Sequence, residues 1–275
     1  MRNSIARKLI FIVTVAVFLF STTMVVKHQI EIRIGADQAE AVIKMVVTPV
    51  SSQEEQTEKK ETNPPPQQHE DKAENDLNEE STIVAPIQVD FDALFTKNQD
   101  VVAWLYCPNT PINYPVVQSS NNDYYLRRLL DGSYNFAGTL FMDYRNAEDI
   151  SDWNSVIYGH NMKNDSMFGT LPGYKTQSYF QEHPEMFLLT PEQDYSIQLI
   201  AGFTTPANSE LYSTFAPDDT EMERLLESWI DNSDFDSGIK PTSEDRLITL
   251  STCSYEYDNA RYVLIGVLKE CKRQE

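Results

Sequence analysis

Two apolar, β-branched runs near the C-terminus, Arg246-Leu-Ile-Thr-Leu-Ser-Thr-Cys253 and Arg261-Tyr-Val-Leu-Ile-Gly-Val-Leu268, are separated only by the polar segment Ser254–Ala260. Side chains branched at Cβ favour extended backbone, and so short a connection makes the two runs antiparallel neighbours. Residues flanking the loop then face each other with Cβ atoms about 4.5–5.5 Å apart, or one step further along. Those residues are Cys253 and Arg261. A guanidinium beside a thiol favours the thiolate, and it can also hold the oxyanion that forms when a thiolate attacks a carbonyl.

Such a pair still needs a proton carrier. His160 ends another strand-like run, Ser155-Val-Ile-Tyr-Gly-His160, before the polar turn Asn161–Ser166. Nucleophile, general acid and base, and oxyanion stabiliser at three strand ends suit acyl transfer. Each residue alone has a plainer reading: a lone Cys is commonly a small buried hydrophobe, a lone His a hydrogen-bonded structural residue, and a lone Arg a solvated one.

Strand-like segments recur over 138–142, 155–160, 185–190, 195–205, 246–253 and 261–269, a pattern that predicts a mainly β domain built as a closed or nearly closed barrel. Phe91, Leu94 and Phe95, continued by Val101, Val102, Trp104 and Leu105, read as a helical region stopped by Pro108 and Pro111. Tyr124 to Leu130 suggests a second short helix ended by Asp131-Gly132. Met222, Leu225, Leu226, Trp229 and Ile230 lie on one helical face behind the capping candidates Asp218, Asp219 and Thr220, predicting an amphipathic helix over 219–231.

Thr249-Leu-Ser-Thr-Cys253 followed by Arg261, with Tyr158-Gly-His-Asn161 upstream, closely resembles the active-site strands of sortases, cysteine transpeptidases of the Gram-positive envelope, and class B in particular. The resemblance runs through Asp100-Val-Val-Ala-Trp-Leu105, Ile112-Asn-Tyr-Pro-Val-Val-Gln118, Asn122-Asp-Tyr-Tyr-Leu126 and Gly138-Thr-Leu-Phe-Met-Asp143, and so covers residues 88–270. It implies a sortase-like closed β-barrel with N-terminal helices and a helix inserted before the cysteine strand. It also implies catalysis by His160, Cys253 and Arg261 without cofactor, and a substrate groove at Asn122, Leu126, Tyr212, Ser251 and Thr252. Asn161 and Thr252 flank the reactive residues and can orient them. The implied donors are secreted proteins bearing a C-terminal sorting motif, and the implied acceptor is an amine of a peptidoglycan precursor. Attachment to the wall is preferred over pilin linking because the sequence shows no lid before the catalytic domain and no C-terminal span. A papain-like hydrolase of wall peptides would usually place the Cys before the His, the reverse of the order here. A module that only binds peptides would not need all three residue types.

Composition excludes rather than identifies. The 275 residues carry 22 basic and 42 acidic side chains, a net charge of −20, which repels phosphates and argues against nucleic acid as a partner. The 3 cysteines are too few for a disulfide framework, and at least one is free. Acidic clusters at Asp218-Asp219 and Glu148-Asp149 lack an ordered calcium-loop spacing, and His28, His69 and His183 are scattered, so no metal site is expected.

Arg2, Arg7 and Lys8 precede an uncharged stretch from Leu9 to Val26 that is long enough to cross a bilayer. Basic residues before it predict a cytoplasmic tail over 1–8, an uncleaved single-pass anchor over 9–26 and an extracellular remainder. A cleaved signal peptide is the competing reading, but no small-x-small site closely follows the stretch. Residues 27–50, with Ile30, Ile32 and Ile34 alternating, carry no assignment. Residues 51–82 are rich in Glu, Gln, Asn and Lys, include Pro64-Pro-Pro66 and lack aromatics. They read with their flanks, over 27–85, as a juxtamembrane segment and disordered acidic tether with a reach of roughly 30 Å, leaving 86–275 as the catalytic domain.

Overall fold

A computed structural model describes residues 2–50, 83–213 and 216–273. Its chain order begins with a long helix, α1 (Arg2–Val46), then β1 (Val47–Pro49), β2 (Ile87–Val89), α2 (Phe91–Phe95), β3 (Val101–Tyr106) and β4 (Asn113–Val117). A 3₁₀ turn at Tyr125–Arg127 leads to β5 (Leu140–Met142) and β6 (Asn154–Tyr158); a second at Leu171–Lys175 leads to α3 (Gln177–Glu182), β7 (Glu185–Leu189) and β8 (Asp194–Pro206). After a third at Glu210–Tyr212 come α4 (Asp219–Asp231), β9 (Leu247–Cys253) and β10 (Ala260–Cys271).

Eight strands close into a barrel in the order β10-β8-β7-β3-β4-β5-β6-β9. The β4–β5 and β6–β9 pairs are parallel and the others antiparallel. Closure removes the open edges that would otherwise invite pairing with other chains. Inward side chains such as Leu105, Val116, Leu140, Ile157, Leu188, Ile197, Leu250 and Leu264 fill the interior.

One strand overturns the sequence expectation, and a second falls where none was assigned. Val101–Tyr106, expected to extend a helix, is β3, and Asn113–Val117 is β4, so the helical region shrinks to α2. The reason is burial on both faces. Ala103 and Leu105 point into the barrel, whereas Val101 and Trp104 lie beneath α1 and α2 on its outside, which erases the two-residue alternation of a half-buried strand. Pro115 is tolerated because β5 pairs only with Val116 and Val117, leaving position 115 outside that ladder. The helix expected over 124–130 is a single 3₁₀ turn. Helix α4 occupies 219–231 as predicted, capped by Asp218, whose carboxylate accepts the Glu221 N–H at 2.9 Å.

Residues 27–46, unassigned in the sequence, continue α1 without a break and dock on the barrel. His28, Glu31, Gly35, Ala39, Val42 and Val46 recur at steps of three or four residues, the spacing of one helical face. Val42 and Val46 are buried with Leu94, Trp104 and Val117. Strand β1 then pairs with β2; residues 51–82, where a tether is expected, lie outside the described residues. The connection from the apolar stretch to the barrel runs through α1.

Candidate active site

Backbone register gathers the three residues singled out by the sequence. In the β9–β10 hairpin Cys253 pairs with Arg261. Strands β6 and β9 run parallel with Tyr158 opposite Ser251, so continuing both by two residues brings His160 level with Cys253. Three further hydrogen bonds hold this continuation beyond the paired residues. Gly159 N–H donates to the Ser251 carbonyl at 3.1 Å, the Thr252 hydroxyl to the Gly159 carbonyl at 2.8 Å, and Asn161 Nδ2 to the Cys253 carbonyl at 2.9 Å. Gly159 also sits where no side chain fits, since a Cβ there would lie 2.5 Å from Leu140 and 2.6 Å from Phe168.

A single cleft is lined by Asn122, Leu126, His160, Tyr212, Ser251, Thr252, Cys253 and Arg261, together with Phe141, Tyr158, Gly159 and Ala207. All eight residues expected from the sequence therefore border one space. Thr252 is buried with its hydroxyl committed to Gly159, which suits positioning. Ser251 is buried, and its hydroxyl shares a 2.8 Å hydrogen bond with the Tyr212 phenol. Burial pushes that phenol up to about 12, against the opposing effects of Ser251 and the Arg261 charge, so Tyr212 stays protonated at neutral pH. Leu126 is half-buried, and its carbonyl has a specific task.

His160 Nε2 lies 2.7 Å from the Leu126 carbonyl oxygen. A carbonyl only accepts, so Nε2 carries the proton and Nδ1 is left to exchange one. Burial lowers the His160 pKa; the Leu126 carbonyl opposes this and the nearby Arg127 charge adds to it, leaving the imidazole below its ordinary value and neutral at pH 7. The chain passes close to the Leu126 carbonyl at Gly138, whose φ of +63° only glycine adopts freely and whose missing Cβ would lie 2.6 Å from the Tyr125 and Leu126 oxygens.

Of the free cysteines, Cys107 and Cys271 are buried whereas Cys253 is partly exposed. Burial raises the Cys107 thiol and pushes Cys271 up to about 11, which holds both in the unreactive thiol form. Among the described residues no carboxylate lies within ion-pair distance of Arg261, whose Nη1 donates to the Ala260 carbonyl at 3.0 Å. Its charge is therefore available to the cleft.

One organiser went unremarked in the sequence. Asp143, fully buried, accepts from Arg145 Nε at 2.9 Å and Nη2 at 2.8 Å, from the Tyr158 hydroxyl at 2.9 Å and from Asn122 Nδ2 at 3.1 Å. Arg145 also donates to the Tyr212 carbonyl at 3.1 Å, and the Tyr158 and Tyr212 rings stack at 6.1 Å. Burial alone would raise the Asp143 carboxyl, but Arg145 and Tyr158 outweigh it and hold it ionised below the usual carboxylate value. A single carboxylate thus orders Asn122, Tyr158 and Tyr212 along one wall. An aspartate closing an apolar strand just before Tyr144-Arg145 was its visible trace in the sequence.

Comparison with known proteins agrees with this geometry. The family model described as the sortase domain matches residues 105–269. Sortase B of Listeria monocytogenes is 37% identical over 173 residues, spanning 62% of this chain and 70% of the relative, and sortase B of Staphylococcus aureus is 28% identical over 186 residues, spanning 68% and 76%. Among solved structures, a Staphylococcus aureus sortase B–substrate complex superposes with a TM-score of 0.63 at 28% identity, covering 66% of this chain and 85% of that one. A Bacillus anthracis protein similar to sortase B gives 0.61 at 35% identity, covering 66% and 83%.

Proposed function

Because this chain belongs to the sortase family, as a class B cysteine transpeptidase that anchors proteins to the cell wall, we propose that it cleaves a C-terminal sorting signal through a Cys253 thioester. The released acyl group passes to an amine of a peptidoglycan precursor. The supporting observation is the register that pairs Cys253 with Arg261 and brings His160 level with it in one cleft.

The resting imidazole is neutral and takes the thiol proton as Cys253 attacks the scissile carbonyl. Arg261 compensates the negative charge that develops on the carbonyl oxygen. The tetrahedral species collapses, the C–N bond breaks, and the imidazolium returns its proton to the departing amine. In the second half an incoming amine attacks the thioester, neutral His160 removes a proton from the amine, the C–S bond breaks to release the transferred product, and the imidazolium returns the proton to the departing thiolate, restoring the resting pair. The Leu126 carbonyl stabilises the transient imidazolium by accepting from Nε2. Asn122, Leu126, Tyr212 and Ser251 form the groove for the donor peptide, with Thr252 and Asn161 positioning the strand ends.

Support for a membrane anchor comes from α1. Phe11, Phe18 and Phe20 expose 70%, 69% and 68% of their surface on a helix apolar and long enough to cross a membrane. Arg7 and Lys8 before it support a reading with the N-terminus in the cytoplasm and the barrel outside.

Incubating the protein with a fluorogenic sorting peptide tests this reading. Cleavage accelerated by an added amine, with the amine incorporated into product, is the expected result. Cleavage indifferent to amine indicates a hydrolase, and binding without turnover indicates a peptide-binding module.

A further inference from the structure

We propose that the loop Ser133–Ala137, joined to α1 just past its apolar stretch, is a membrane-contact edge that seats the barrel on the outer lipid interface. This rests on the reading of Leu9–Val26 as a span. The partner is the headgroup layer of the bilayer that α1 crosses.

The first ground is continuity. Helix α1 runs unbroken through Arg2–Val46, with no joint between the apolar stretch and the barrel. Docking begins almost at once, because the His28 ring stacks on Phe136 with centroids 4.5 Å apart. At about 1.5 Å of rise per residue, His28 stands only about 3 Å along the helix from Val26. The headgroup layer is about 5–8 Å deep on each side of the hydrocarbon, so Phe136 falls within it.

The second ground is that this attachment is built rather than grazing. Asn135 is 1% exposed; its Nδ2 donates to the Glu31 carbonyl at 2.8 Å and its Oδ1 accepts from Ala137 N–H at 2.9 Å. A Cβ at Gly35 would meet Asn135 and Ala137 at 3.6–3.8 Å, so the loop packs closely against the helix. A buried amide spent on a helix carbonyl fixes the loop's height along α1.

The third ground is the loop's exposed chemistry. Tyr134 exposes 65% of its surface beside Phe136, and a phenol ring with one apolar and one polar end suits the interface. Of the nearby carboxylates, Asp131 accepts the Ser133 N–H at 2.9 Å, and Glu31 and Asp37 have basic neighbours, Lys27 at 3.9 Å and Arg33 at 4.0 Å. Arg128 stacks over Tyr124 at 4.5 Å. With a net charge of −20 the chain gains little from anionic lipid as a whole, so the aromatic side chains carry the contact.

The edge is continuous with the cleft. Asn135 N–H donates to the Arg127 carbonyl at 3.0 Å and Thr139 N–H to the Tyr125 carbonyl at 3.1 Å, on either side of the Leu126 carbonyl that holds His160. Seating the loop therefore sets the height and orientation of the cleft above the lipid, where a membrane-bound acceptor would meet it.

Depth-dependent quenching tests the proposal in the full-length protein. In a Cys253→Ala background, Tyr134→Cys, Ser133→Cys, Phe18→Cys and Glu223→Cys variants each receive an environment-sensitive fluorophore. Each is then reconstituted into phosphatidylcholine vesicles carrying nitroxide quenchers at shallow or deep positions. Labels at 133 and 134 are expected to be quenched several-fold more by the shallow quencher, the label at 18 by the deep one, and the label at 223 by neither. Quenching at 18 without quenching at 133 or 134 keeps the anchor and overturns the contact edge. Absence of quenching at 18 overturns the anchor reading and the edge with it. Quenching at 133 and 134 that requires anionic phosphatidylglycerol overturns the aromatic basis of the contact.

Discussion

His160 is held by a single carbonyl inside a desolvated cleft, and this governs its response to pH. Burial outweighs the Leu126 hydrogen bond, so its titration by NMR should have a midpoint below the ordinary value of about 6.5. The unfolded chain then takes up a proton at higher pH than the folded one. Stability contributed by this residue is present above the unfolded pKa and falls as pH drops towards the folded value. Thermal melts of His160→Gln should lose that component of the pH dependence. Asp143 makes a second case. Asp143→Asn removes the charge that faces Arg145 and should cost on the order of 3 kcal/mol in urea unfolding. In the fraction that folds, KM should rise more than kcat falls, because the carboxylate orders Asn122 and Tyr212 rather than touching the reacting atoms. The Cys253–Arg261 pair was legible in the sequence because a short hairpin leaves little freedom in which residues face each other. Asp143 was not, because its partners at Asn122, Tyr158 and the Tyr212 carbonyl converge only after the barrel closes.

Strand and helix signals were readable where one face meets water. Helix α4 shows this, with Met222, Leu226 and Trp229 buried against Val263 and Ile265 while its polar face stays exposed. Trp229→Ala should destabilise the fold by about 3–5 kcal/mol, measured by chemical denaturation, because it empties the contact with Trp153 and the barrel wall. Strand β3 lacks such a face. Trp104 is covered by α1 and α2 outside the sheet while Leu105 fills the barrel, so its apolar run carries no period that separates strand from buried helix. The docked part of α1 was hidden differently: its spacing from His28 to Val46 is helical, but Ile30, Ile32 and Ile34 overlay it with an alternation that suits a strand.

At the scale of the whole molecule, α1 belongs to two structures, a candidate span and the packed flank of the barrel. Truncations should separate them. Removing residues 1–26 should free the protein from the membrane fraction while leaving cleavage of a soluble peptide intact. Removing 1–82 should in addition lower the unfolding temperature, because it uncovers Leu94, Trp104 and Val117 and deprives β2 of its partner. In the proposed reaction the acyl group is held on Cys253. Intact-protein mass spectrometry after brief mixing with a sorting peptide, followed by peptide mapping, measures this directly. The expected result is one acyl adduct on Cys253, absent from Cys107 and Cys271 and discharged by an added amine. Turnover without an adduct at Cys253, or turnover that survives Cys253→Ala, would contradict the account.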